Sequence, residues 1–245
     1  MSATVVEIAA RGDGGVSCVL AGDLIVPRLV RRTGRSVEVA LVAGRAMLLP
    51  ADEVRIRIRI GEDCALALVD IGGLVVYGRP PGEDGDASHW HADVELAPRA
   101  RLTWDGLPTV VTDAGHLDRS LTLSLAPGAS AVLRETLVLG RAGERGGRLR
   151  SHTDISDHRG PLLREALEVS GDSPVPGILG TGRVMDGIIA VGDHPRLPVV
   201  AGATLLELER CGTILRSLGD HAHASPLVDI VANLADTADE YADVA

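Results

Sequence analysis

Apolar and polar residues alternate along most of this chain. In VRIRIRI, Val54, Ile56, Ile58 and Ile60 fall on one side while Arg55, Arg57 and Arg59 fall on the other. A period of two is the signature of a strand with one buried and one wetted face. The same alternation runs through DVELAPRARLTW (93–104) and SLTLSLAPGASAVLRETLVL (120–139). In the second, Leu121, Leu123 and Leu125 point one way and Thr122 and Ser124 the other.

These strands come in pairs joined by short turns. The turns read VAGRA, IGEDCA, LAPRA and LAPGA, centred near Gly44, Gly61, Pro98 and Gly128, and Pro and Gly preset or relax φ where a chain must reverse. Repeated two-strand units predict a mainly β fold: a solenoid, stacked sheets or a β-sandwich. Two segments interrupt the ladder, RPPGEDGDAS (79–88) and SGDSPVPGILGTG (170–182), both with loop composition. Beyond the second, ATLLELERCGTILRSL (203–218) fits a strand or a helix. From Ser225 the pattern turns helical: Ser225 suits a cap, Pro226 the first turn, and Leu227, Ile230, Val231 and Leu234 share one stripe. The expectation is one domain over 1–245, a β body to about residue 200 and a C-terminal section with a helix over about 201–245.

Composition narrows the function. The chain has 245 residues, with 34 acidic and 24 basic side chains and a net charge of −10; phosphate backbones call for a basic face, so nucleic acid is not an expected partner. No apolar run approaches the ~20 residues of a membrane helix, and the first residues lack a secretion-signal pattern. Cys18, Cys64 and Cys211 are widely separated, which fits a reducing compartment, so a cytoplasmic protein is expected. Phe is absent and aromatics make up 2%, leaving the core to Val, Leu, Ile and Ala, side chains that pack well on pleated sheets.

Candidate chemistry is sparse. His89-Trp90-His91 with Glu95 four residues on resembles the first metal motif of cupins, since two imidazoles at i and i+2 of a strand share a face. A cupin-like metalloenzyme built on His89, His91 and Glu95 is therefore the alternative reading, although a second motif is missing. His221 and His223 form another such pair. No nucleophile elbow, P-loop or dinucleotide fingerprint is present, so no catalytic set is expected.

One block carries a family resemblance. Residues 96–144 contain Leu96-Ala97-Pro98 with Leu102 and Trp104, then Leu121 to Leu125, then Glu135, Leu139-Gly140-Arg141 and Glu144. In order and spacing these are similar to the urease accessory protein D family, called H in some organisms. Upstream, 52–77 resembles that family's acid, strand, turn and tyrosine-ended strand; downstream, GPLLREALEV (160–169) resembles its next strand. The family's glycine-rich PGGxxGGD is here Ala43-Gly44-Arg45-Ala46 and Pro50-Ala51-Asp52, which marks a divergent member.

The resemblance implies a right-handed β-helix-like body and a small C-terminal helical part. It implies a non-catalytic chaperone that docks on urease apoprotein with two partners, a helical scaffold accessory protein and a nickel-carrying GTPase. No cofactor would be bound tightly; nickel would pass transiently, along an internal, water-filled route lined partly by acids. Positions matching such acids are Asp52, Glu165 and Glu135. Each also has a plain structural reading, Asp52 closing a turn and Glu135 and Glu165 bonding backbone or Arg. Gly140 and Arg141, with Glu144, fit fold-determining roles: a glycine turn and an Arg paired to a carboxylate.

Overall fold

The computed structural model describes residues 3–44, 48–78, 86–173, 177–193 and 196–234. Two hairpins open the chain, β1 (Thr4–Ala10) with β2 (Val16–Ala21) and β3 (Ile25–Thr33) with β4 (Ser36–Ala43). Three coils follow: β5 (Glu53–Ile60), β6 (Ala65–Ile71) and β7 (Leu74–Val76); then β8 (Ser88–Leu96), β9 (Arg101–Asp105) and β10 (Thr109–Val111); then β11 (His116–Leu125) and β12 (Ser130–Leu139). The chain continues through β13 (Arg148–Asp157), β14 (Gly160–Ser170), β15 (Val184–Gly192), β16 (Thr204–Glu207) and β17 (Gly212–Gly219).

Among the described residues the strands form two sheets. The first runs β14-β13-β11-β8-β5-β1-β2 and the second β16-β17-β15-β12-β9-β6-β4-β3, with β7 and β10 alongside β12. Each coil gives one long strand to each sheet, and the first two add the short β7 and β10 to the second, so β5, β8, β11 and β13 stack in parallel in the first, and β4, β6, β9 and β12 in the second. This is a β-solenoid-like stack of about 4 turns with a small C-terminal helical part. The parallel ladders set it apart from an antiparallel sandwich.

The corners explain the repeat. At three successive levels a turn closes between Gly61 and Cys64, Ala97 and Ala100, and Ala126 and Ala129. The third residue of each has positive φ: Asp63 at 57°, Arg99 at 57° and Gly128 at 73°. A left-handed third residue is the mark of a type II turn, and in the second and third corners Pro98 and Pro127 at the second position suit it further. The turns also bond to one another, with Asp63 N–H donating to the Pro98 carbonyl and Arg99 N–H to that of Pro127. Gly44 belongs elsewhere: it ends β4, its N–H donating to the Leu24 carbonyl, and residues 45–47 of that turn lie outside the described residues.

The inward positions of both sheets form one core, including Ile56, Ile58, Leu66, Leu68, Val94 and Leu123. The outer face of the second sheet is covered by a smaller cluster in which Leu227 and Val231 pack on Val132, Ile188 and Leu215. Segment 203–218 is strand because it completes the second sheet as β16 and β17, so strands continue past residue 200 to Gly219. The C-terminal helix starts later than the sequence pattern suggests: a 3-10 turn spans Ala222–Ala224, Ser225 Oγ accepts from Leu227 N–H, and helix begins at 230 and is described to 234. No helix among the described residues is long and apolar enough to cross a membrane.

Candidate functional site

Inward-facing rows change character along the stack. In the first sheet one row reads Ile56, Ala92, Leu121, Thr153, Glu165, and its neighbour Val54, Trp90, Arg119, Ser151, Leu167. In the second sheet Glu135, Gly187 and Arg216 share a row. Continuing the β6–β9 register by one residue adds Asp70 and Gly106. Polar side chains thus face each other across the interior of the later coils and form a seam.

Two ion pairs bridge the sheets within it. Arg119 Nη1 lies 2.5 Å from Glu135 Oε1, and Arg216 grips Glu165 through Nη1 at 2.6 Å and Nη2 at 2.9 Å. Arg119 also stacks over the Trp90 ring at 4.3 Å, a cation–π contact that steadies a half-desolvated guanidinium. Burial pushes the Glu135 carboxyl above its ordinary range, helped by the Glu165 charge and opposed by Arg119 and Arg216.

Asp70, at the mouth of this region, is a residue that sequence reasoning missed. Its carboxylate accepts from Trp104 Nε1 and from Leu107 N–H, both at 3.2 Å. Burial outweighs these bonds and pushes its pKa up to about 6. Asp70, Trp90, Trp104, Arg119 and Glu135 line one cavity of about 60 Å³, room for several waters. Two buried donors of the seam, Trp90 Nε1 and Arg216 Nε, have no acceptor among the protein groups. Buried polar groups are otherwise satisfied almost without exception, so these two donors mark the seam as the least satisfied part of the interior.

The other candidates sit apart. Asp52 is held in the turn before β5, where its Oδ2 accepts from Leu49 N–H at 2.8 Å; neither it nor Glu165 lines the cavity. Gly140 has φ 69°, and a Cβ there would come within 2.7 Å of the Gly146 nitrogen. Arg141 pairs with Glu144 at 2.5 Å, and that contact holds the Glu144 carboxyl below its usual range. His89 and His91 stack at 5.9 Å on the outer face of the first sheet, with His91 Nδ1 bonded to Ser120 Oγ at 2.7 Å. Glu95 is turned to Arg59. His221 and His223 stack at 5.3 Å, and His221 borders a second cavity with Asp186, Ser217 and Asp220. Among the described residues no three or more His, Cys, Asp or Glu side chains converge to hold a metal ion, so His89, His91 and Glu95 do not make a cupin-type centre.

Residues 21–236 match the family described as UreD urease accessory protein. A protein of Streptomyces griseus named urease accessory protein UreD 1 is 38% identical over 179 residues, 72% of this chain and 69% of that protein. The UreD 1 protein of Saccharopolyspora erythraea is 31% identical over 176 residues, 69% of this chain and 67% of its own length. The UreD of Streptomyces avermitilis is 29% identical over 231 residues, 90% of this chain and 84% of its own.

Proposed function

Because the chain belongs to the UreD urease accessory protein family, we propose that it is a maturation chaperone that helps deliver nickel to the urease active site. It docks on the urease apoprotein in the cytoplasm, together with a helical scaffold accessory protein and a nickel-carrying GTPase. It turns over no substrate; nickel is its cargo. The observation that carries the reading is the seam, where two carboxylates paired to Arg bridge the sheets and one of the pairs, Arg119 with Glu135, lines a cavity together with Asp70.

The chemistry of transit favours such a lining. A closed cage of His and Cys would hold nickel too firmly to release it, whereas isolated carboxylates with water bind weakly and exchange. Arg119 and Arg216 lower the net negative charge that Glu135 and Glu165 present, which keeps each stop shallow. Asp52, tied into its own turn, supports the turn and lies off this path.

The test is to dry the seam without unfolding the protein. Replacing a buried ion pair by apolar side chains of similar size is often neutral or stabilising. Arg119→Met combined with Glu135→Leu is therefore expected to fold and to co-purify with urease and its accessory partners. Urease matured with this variant should contain little nickel, as in a strain lacking the chain altogether. Full nickel content with the double variant would reject passage through the seam, and full content in the deletion strain would reject the maturation role itself.

A further inference from the structure

A stack of coils has two ends, and each end leaves strands without an outer neighbour. Among the described residues these edges are β2 and β3 at the start and β14 and β16 at the far end. An open edge pairs with whatever strand meets it, so proteins guard edges with bulges, proline, charge or short length. Three of the four are guarded. β3 carries Pro27, a bulge at Val30 and the charges of Arg28, Arg31 and Arg32, and Thr4 Oγ1 donates to its Ile25 carbonyl. β14 has a bulge against β13 and Pro161 near its start, and Arg210 Nη2 donates to the Gly160 and Pro161 carbonyls. β16 is only 4 residues long.

The strand β2, VSCVLA, has none of these devices: no charge, no proline and no bulge over 6 residues. Its open side follows from the ladder. Gly61 N–H donates to the Ile8 carbonyl, so Ile8 turns its main-chain groups towards β5. By alternation Glu7 and Ala9 turn theirs to β2, where Val19 and Ser17 answer them. The N–H and C=O groups of Val16, Cys18 and Leu20 are therefore directed away from β1, along the edge.

The opening beside that edge has a definite chemistry. Leu29 pairs with Val39 and Arg32 with Val37, both core residues, so Leu29 and Arg32 point between the sheets. Yet Leu29 is 48% exposed, since β2 and β3 end their sheets. Cys18 and Leu20 are half-buried against the same core. The far end differs, for Ile178, Leu179 and Leu208 pack against the core there. Arg32 Nη1 stands at the opening, 3.4 Å from the Val16 carbonyl, and among the described residues it meets no carboxylate. On a chain of net charge −10, a guanidinium without a counter-charge beside apolar side chains favours an acidic visitor.

We propose that β2 is a docking edge for an extended segment of a partner chain, a segment one face of which runs from apolar residues to an acid. The segment adds a strand to the first sheet through the main-chain groups of Cys18 and Leu20, the mode of recognition in which a peptide extends a sheet. Its apolar side chains cover Leu29, and its carboxylate takes Arg32 in a charge-assisted pair. The inference rests on the edge alone and holds whatever cargo the chain carries.

The probe is the labelled peptide Glu-Thr-Val-Thr-Val-Thr-Glu, which sets valines and a terminal acid on one face in either strand direction. Fluorescence anisotropy with the purified full chain should show saturable binding, and amide exchange should slow at Cys18 and Leu20. Cys18→Pro removes an outward N–H while sparing the bonds to β1, a change that edge strands accept. Its midpoint should rise about tenfold or more, as for lost hydrogen bonds and a blocked edge. Arg32→Glu, at an exposed position, should lose this peptide and gain the counterpart with Lys in place of Glu. Circular dichroism establishes that each variant is folded; should Cys18→Pro fail to fold, Arg32→Glu with the two peptides decides the matter. Equal binding by the parent and Cys18→Pro overturns the proposal, as does binding indifferent to the charge reversal, or none by the parent. Concentration-dependent dimers of the parent that Cys18→Pro abolishes would make the occupant a second copy of this chain and overturn the acidic partner.

Discussion

The early and late coils share one backbone and differ in what they enclose. Around β5, β6 and β8 the inward residues are Ile56, Ile58, Leu66, Leu68 and Val94, all 3% exposed or less. Around β11 to β14 and β17, in the rows that begin with Val54, Ile56 and Asp70, the inward positions include Arg119, Glu135, Ser151, Thr153, Glu165 and Arg216. The ladder of backbone bonds is continuous through both. The stack therefore tolerates charge inside because its strands are held by main-chain pairing and stacked turns, while the apolar half supplies the driving force for collapse.

Four substitutions test that contrast. The largest effect is expected from Glu135→Ala, which strands the Arg119 guanidinium between the sheets and should destabilise by about 4 kcal/mol in urea unfolding, within the range for breaking a buried pair. Next comes Ile58→Ala in the apolar half, about 3 kcal/mol for a deleted core side chain, with nickel delivery per folded molecule unchanged. If the Glu135 variant were no less stable than the parent, the late coils would not depend on their charges and the contrast would collapse.

Asp70→Asn sharpens the comparison through pH. The folded pKa of about 6 lies above the ordinary 3.8 because burial disfavours the charged form. At pH 8 the ionised group therefore weighs against the fold, and the variant should be more stable than the parent by on the order of 1 kcal/mol. The advantage should shrink as pH falls through about 6 and vanish near 4. Thermal melts across that range would show the opposite trend if burial did not govern this group. The smallest effect belongs to Glu95→Ala on the outer face, within about 0.5 kcal/mol as for exposed positions, measured by the same melts.

Much of the frame was legible from the sequence. Alternation located β5, β9, β11, β12 and the end of β8, the family resemblance located β14, and the IGEDCA, LAPRA and LAPGA turns located the three stacked corners. The helical stripe at Leu227 and Val231 marked residues that do pack, though the regular helix starts only at 230. Segment 203–218 stayed ambiguous because its alternation is weak, and only the pairing of β17 with β15 and of the edge strand β16 with β17 decides it. The seam was harder to see. Its signal was present as charge in inward parity, in Leu117-Arg119-Leu121, Leu133-Glu135-Leu137 and Leu66-Leu68-Asp70. Parity alone cannot tell which strands from different coils bring such residues face to face; sheet order and register do that. The family resemblance drew attention to Glu135, Glu165 and Asp52, the last placed in the turn before β5, and it was silent on Asp70.

The column of corner turns has a consequence for how this protein can change length. Asp63, Arg99 and Gly128 are locked one above another by their own main-chain bonds, so the molecule grows or shrinks in whole circuits. One residue inserted within β11 would swap the sides of all that follow it in the strand, sending leucines outward. Drift in sequence length is confined to the bends between sheets, and a gain or loss anywhere else must come as a complete lap.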